Sequence, residues 1–214
     1  VDALPAVIKK PTVINVADGY YHEEVTMQNI TIGTQEGSLS VVGNPTTPTT
    51  VVISAKPESG GAADNDYCFH LVDNDNMVIS GFTMQSALDK TLYAQRSVLR
   101  LQDIILRDSV FGAFLIDSDV DLIGMDVSDS KIGVRVPGSK IRIFSSTFYN
   151  IEEHAVKGGN FTASIHASTF TDTGQSGLLA LQQSFIALRD STFDDCGDPA
   201  FPGHKVYAVE LRES

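Results

Sequence analysis

The tripeptide Ser-Thr-Phe occurs three times in the second half of the chain, at Ser146 to Phe148, Ser168 to Phe170 and Ser191 to Phe193, so the phenylalanines recur at spacings of 22 and 23 residues. A fixed period of this size marks a stacked repeat, in which each unit buries its apolar face only against its neighbours. The repeat is longer than the tripeptide. Five residues before each phenylalanine stands Ile143, Ile165 or Leu188, and two before that Ile141, Ala163 or Ile186. Steps of 21 or 22 lead back to Leu122 with Val120, Leu101 with Leu99, and Ile79 with Met77. Six anchors therefore align: Ile79, Leu101, Leu122, Ile143, Ile165 and Leu188.

Eleven or twelve residues after several anchors comes a glycine followed by a second apolar alternation: Gly112 before Ala113 to Ile116, Gly133 before Val134 to Val136, Gly177 before Leu178 to Leu181. Each period thus holds short strands separated by turns of Asp, Ser, Asn and Gly. No period contains an amphipathic helix of useful length, which argues against leucine-rich, tetratricopeptide and ankyrin solenoids. The fold class that remains is all-β, a parallel β-helix of about 22 residues per coil, with coils stacked ~4.8 Å apart. Stacking places Phe148 on Phe170 on Phe193, and Ile143 on Ile165 on Leu188, in the interior. The residues flanking each anchor then face outward as two columns: Arg100, Asp121, Arg142, Ser164, Ala187, and Gln102, Ile123, Phe144, His166, Arg189.

Near the start, Val13, Ile14, Asn15, Val16, Ala17, Asp18, Gly19, Tyr20, Tyr21, His22, Glu23, Glu24, Val25 resembles the first coil of the pectin-lyase-like superfamily of right-handed parallel β-helices, and Leu39, Ser40, Val41, Val42, Gly43 resembles its second. Val1 to Pro5 is similar to the end of the capping helix that precedes this coil in the superfamily, so the chain is expected to be part of something longer. Within the superfamily, the glycine-punctuated opening and the Thr-rich loop Asn44 to Thr50 look most like structural and tail-spike-type proteins of bacteriophages. Similar openings occur in bacterial surface proteins and pectin methylesterases. The resemblance implies a virion tail or extracellular surface, a homotrimer in the intact protein, and a bacterial surface polysaccharide as partner.

The expected organisation is one β-helix domain over 1–214, with 1–8 the remnant of the cap, 9–67 the opening coils and 68–211 the regular coils. The last strand, Lys205 to Leu211, is expected to leave an uncapped solenoid end. Fifteen Lys and Arg against 27 Asp and Glu give a formal net charge of −12, which disfavours a phosphate-backbone partner. No stretch reaches the roughly 18 to 20 apolar residues of a membrane span. Cys68 and Cys196 fall on distant coils, so free thiols are expected, in keeping with folding in a reducing cytoplasm. The sequons at Asn29 and Asn160 are near chance frequency.

Enzyme readings need carboxylates. The aspartate motif of the pectin methylesterases has no match, the nearest string being Phe114 to Ser118, and neither the calcium-binding Asp cluster nor the arginine motif of a pectate lyase is present. A glycosidase needs two carboxyl groups about 5 to 9 Å apart. The candidates are Asp103, Asp126, Glu152 and Glu153, against the bland alternatives of Asp as turn former and of Glu152, Glu153, His154 as a solvated turn. The candidate ligand-binding face is Arg100, Gln102, Asp121, Arg142, Phe144, His166 and Arg189, in which Arg100, Asp121 and Arg142 form either a surface ion-pair ladder or an anionic-sugar groove. Asp73 to Asn76 lacks the glycine and distal Glu of a calcium loop, the five histidines show no ligand spacing, and no metal or cofactor is expected. The chain has no Trp for a sugar platform, leaving Tyr20, Tyr21, Tyr67, Tyr93, Tyr149 and Tyr207 as substitutes.

The expected function is a phage-tail or comparable surface module, serving as shaft and carbohydrate binder. The alternative is a depolymerase that cleaves a bacterial surface polysaccharide, and a bacterial surface β-helix with another ligand is a third reading.

Overall fold

A computed structural model describes residues 7–33, 37–197 and 207–212. The cap remnant expected at Val1 to Pro5 and the first residues of the expected last strand lie outside the described residues.

The chain winds as a parallel β-helix in which every strand pair is parallel and joins one coil to the next. The first leg of each coil contributes to an eight-stranded sheet: Pro11–Asn15, Ser38–Val42, Met77–Ser80, Val98–Gln102, Asp119–Ile123, Lys140–Phe144, Thr162–His166 and Phe185–Arg189. The second and third legs form a thirteen-stranded sheet, because in three coils they run together as one bent strand, Ile105–Ile116, Asp126–Arg135 and Thr147–Gly159.

The six anchors are in register from coil to coil, Ile79 with Leu101, Leu122, Ile143, Ile165 and Leu188 in turn. The column extends further back than the period shows: Ile79 pairs with Val41 and Val41 with Ile14. Long connections between those coils, including Asn44 to Thr50 and the segment after Ser54, break the spacing without breaking the register. From Ile8 to Ala180, with Cys196, the buried inward residues form one apolar cluster, and Ile186 and Phe193 of the next coil pack against it only partly buried. Leu188, expected in the interior, is instead 42% exposed. Phe148 and Phe170 are fully buried and stack at 4.9 Å, and Phe170 stacks on Phe193 at 4.6 Å, with ring planes within 9° and 6° of parallel. These centroid distances fall within the range of favourable aromatic pairs and match the coil rise of ~4.8 Å.

The corners explain the rest of the repeat. Asp103, Gly124, Ser145, Ala167 and Asp190 hold left-handed φ values of 49° to 60° at the first corner, a region that Gly, Asn and Asp tolerate best. The serine after each turns inward. Ser146 Oγ accepts from Met125 N at 3.1 Å, Ser168 Oγ from Ser146 N at 3.2 Å, and Ser191 Oγ from Ser168 N at 3.3 Å, while each hydroxyl donates to the carbonyl two residues behind it. The Ser of Ser-Thr-Phe is thus a relay that satisfies a buried corner N–H of the preceding coil. A second ladder runs along the third corner through Ser97, Ser118 and Ser139, which accept from Asn74 N, Ser97 N and Ser118 N. Gly112 and Gly133 stand where stacked backbones approach: a Cβ there would lie 2.6 Å from the carbonyl oxygen of Gly133 or Ala155.

Glu152, Glu153 and His154 are not a solvated turn. They lie inside the strand Thr147–Gly159 at a register shift, where Ser130 pairs with Ile151 but Ile132 with His154. The extra residue is a bulge, and it turns His154 into the interior, where Nδ1 lies 2.7 Å from Ser176 Oγ. Cys68 and Cys196 are free and buried; desolvation pushes the Cys68 thiol up to about 12, so neither is a poised nucleophile.

Candidate functional site

The outward columns of the first sheet fall as the spacing implies: Arg100 opposite Asp121, Asp121 opposite Arg142, Ile123 opposite Phe144, Phe144 opposite His166, His166 opposite Arg189. Their charges, however, meet one another. Asp121 is bonded by Arg142 Nε on one side and lies 3.3 Å from Arg100 on the other. Arg142 reaches Asp119 at 2.6 Å, and Lys140 reaches Asp119 at 3.7 Å. Desolvation of Arg142 works against its charge, but Asp119 and Asp121 outweigh it and hold the guanidinium above its ordinary pKa. Lower on the face, Asp190 accepts from His166 at 3.1 Å and pairs with Arg189 at 3.2 Å, and Gln102 donates to Asp103. Asp119, Lys140 and Asp190 were not among the expected site residues, although Asp119 and Lys140 lie one period apart.

The four carboxylates considered for catalysis do not share one site. Asp103 occupies a left-handed corner, φ 51°, and accepts from Gln102. Glu153 lies 3.4 Å from both Lys131 and Lys157. Glu152 is exposed and lines a groove of about 900 Å³ along the second corner, with Lys131, Asn150, Asp172 and Asp195. Asp126 differs from these. It is half-buried with Oδ1 lacking a protein partner, and burial pushes its carboxyl up, opposed by a hydrogen bond from Tyr149 and by the charge of Arg107. Arg107 in turn donates to Gln85 Oε1 at 2.9 and 2.7 Å. Among the described residues, no group of three or more His, Cys, Asp or Glu is placed to hold a metal ion. Asp73 instead makes a two-pronged bond to Arg96, at 2.6 and 2.8 Å, which lowers its pKa.

The third leg carries a feature the first-leg pattern did not disclose. Tyr67 opposes Lys90 and Lys90 opposes Phe111, while His70, Tyr93, Phe114, Arg135 and Lys157 follow one another along an adjacent column. The rings touch in sequence: Tyr67 to His70 at 4.8 Å, His70 to Tyr93 at 5.2 Å, Tyr93 to Phe114 at 6.0 Å, and Phe114 to Phe111, stacked, at 5.4 Å. All five are partly exposed. Lys90, almost fully buried and bonded to Asp89, sets its ammonium 5.3 to 5.9 Å from the centroids of Tyr67, Tyr93, Phe111 and Phe114. Each such contact is worth from ~0.5 to ~2 kcal/mol depending on desolvation, so Lys90 locks the rings into a fixed strip. Among the Tyr residues proposed in place of Trp, Tyr67 and Tyr93 belong to it. The signal was in the sequence: Tyr93, Phe114 and Arg135 recur at 21 residues, thirteen or fourteen positions after an anchor.

No protein-family model matches the chain, and no curated protein matches it. Among solved structures, a pectin methylesterase from carrot aligns over 96% of this chain and 80% of its own, at 11% identity and a TM-score of 0.43. ORF18 of Geobacillus virus E2 aligns over 87% of this chain and 53% of its own, at 12% identity and a TM-score of 0.32. The parallel β-helix rests on the chain's own strand pairing, and the chemistry rests on its own side chains.

Proposed function

We propose that this chain is a rigid β-helical module of a phage tail or comparable surface appendage, and that it holds a bacterial surface polysaccharide against the aromatic strip of its third leg. The observation carrying this reading is five partly exposed rings on consecutive coils, four of them in contact with a buried lysine. Pyranose rings present apolar C–H faces that pack on aromatic faces, and a strip repeating at the coil rise of ~4.8 Å offers successive sugars successive rings. The glycine-punctuated opening and the two buried free thiols support the phage setting. A homotrimer in the intact protein belongs to the same proposal.

The test is retention and product release on a panel of bacterial capsular polysaccharides and lipopolysaccharides. Retention without release that is lost on Tyr93→Ala supports the binder. Retention unchanged in Tyr93→Ala overturns the assignment to this strip.

Depolymerisation is the second reading, favoured by Asp126. A half-buried carboxyl whose pKa is raised by burial is the kind of group that donates a proton to a leaving glycosidic oxygen. Release of reducing ends that disappears in Asp126→Asn supports this reading; release that survives the substitution assigns the chemistry elsewhere.

A further inference from the structure

The aromatic strip ends on a cation that meets no carboxylate among the described residues. Arg135 is exposed, one coil beyond Phe114 in the same outward column, and its guanidinium lies 5.3 Å from the Phe114 centroid and 5.7 Å from that of Phe111. Among the described residues, no Asp or Glu stands within ion-pair distance of it, whereas Arg96, Arg100 and Arg189 each have one and Arg142 has two; Arg107, also without an ion pair, is instead satisfied by Gln85. Two further cations are close by. Lys157 is directly opposite Arg135 in the next coil, and Lys131 lies on the same coil as Arg135; both reach a single carboxylate, Glu153, at 3.4 Å. Lys131 also borders Asp129, Glu152, Asp172 and Asp195 along the second-corner groove, so the local surplus is that of the adjacent pair Arg135 and Lys157, for which Glu153 is the one ion-pair partner among the described residues. At the other end of the strip the balance reverses, since Tyr67 is in the field of Asp66, Asp89 and Glu24.

An arginine set against two phenyl rings loses part of its freedom to turn, and its planar guanidinium supplies a fork of N–H donors that matches a carboxylate. Surface charge at such a position gives selectivity by admitting an anion and by leaving a cation unmet when a neutral ligand binds. We infer that the strip selects acidic polysaccharides, stacking sugar rings on Tyr93 and Phe114 while Arg135, with Lys157 behind it, receives the carboxylate of a uronic or other acidic sugar. This rests on the strip being the glycan-binding face; it adds the class of glycan and the direction in which the chain lies, acidic unit toward Arg135.

The experiment uses the full chain and a panel of capsular polysaccharides in which each acidic member is paired with its carboxyl-reduced form, which keeps the sugar sequence and replaces COO⁻ by CH₂OH. Affinities of both forms are measured for the unmodified protein, Arg135→Gln and Tyr93→Ala. The expected result is that an acidic chain binds about tenfold or more tightly than its reduced form, that Arg135→Gln brings the two within about twofold of each other, and that Tyr93→Ala weakens both; tenfold corresponds to about 1.4 kcal/mol. Raising salt lowers only the acidic form's affinity. Equal binding of both forms by the unmodified protein, or a preference unchanged in Arg135→Gln, overturns acid selection while leaving the aromatic face in place. Absence of binding to every member overturns the binding reading and this inference with it. Arg135 is exposed and outside the core, so Arg135→Gln is expected to fold; an unchanged unfolding midpoint checks this.

Discussion

The ion-pair face of the first sheet and the aromatic face of the third leg are built by the same rule, one residue per coil in a parallel register, yet they end in opposite electrostatic states. On the first sheet the alternation Arg100, Asp121, Arg142 lets each charge find its complement one coil away, so the ladder is closed on itself. On the third leg the column runs His70, Tyr93, Phe114, Arg135, Lys157, like beside like, and the surplus is presented to solvent. A regular pattern of opposite charges thus describes a self-satisfied surface, whereas a run of similar groups leaves something for a ligand to complete.

The broadest way to break this comparison is through the core that both faces share. Phe170→Ala removes the middle ring of the buried stack and should lower stability by about 3 to 5 kcal/mol, read as a fall in the denaturant midpoint, with both faces lost in one transition. A separate, earlier loss of one face would mean that the two legs unfold independently. Next in size, Tyr93→Ala should weaken glycan retention about tenfold, roughly 1.4 kcal/mol, with little change in the unfolding midpoint. Asp121→Asn should do the reverse: about 1 kcal/mol of stability, since no carboxylate then stands between Arg100 and Arg142, although Arg142 keeps Asp119, and no change in retention. If Asp121→Asn weakens retention and Tyr93→Ala does not, the first sheet is the binding face and the assignment inverts.

The smallest effect concerns Asp126. Its carboxyl titrates above the ordinary value of 3.8, so the folded chain holds this proton more tightly than the unfolded one. Stability from this group is therefore fully present in acid and declines as pH rises through the folded-state pKa. Asp126→Asn should raise the unfolding midpoint slightly at neutral pH and flatten that decline, as measured by midpoints across mildly acidic to neutral buffers. Asp73 has the opposite sign: Arg96 lowers its pKa, so the stability it contributes is present above its ordinary pKa and is lost only as pH falls through the depressed one.

The anchors show how far the repeat is legible. From Ile79 to Leu188 the coils have nearly constant length, so spacing alone finds every partner. Between Ile14, Val41 and Ile79 the loops lengthen, and only the folded register recovers the column. The outward groups were harder to find. Arg100, Asp121 and Arg142 were visible because they flank the anchors used to find the period, but that they satisfy one another depends on side-chain reach. Tyr67 was visible only as one tyrosine among six, and its place beside Lys90 was hidden because the third leg starts with two successive inward residues, Cys68 and Phe69, so simple alternation assigns the outward face wrongly there. Glu152 to His154 were misplaced for a related reason: a single extra residue was absorbed as a bulge inside a strand.

What the sequence by itself determined is the coil: its length, its inward column and its left-handed Asp and Gly corners, all of which follow from local backbone preference and from apolar residues having to stack on apolar residues. What only the tertiary structure decided is which outward groups meet. Outward positions are not constrained by the core, and whether a charge is cancelled, as Asp121 is, or left open, as Arg135 is, depends on distances between coils that no stretch of sequence contains.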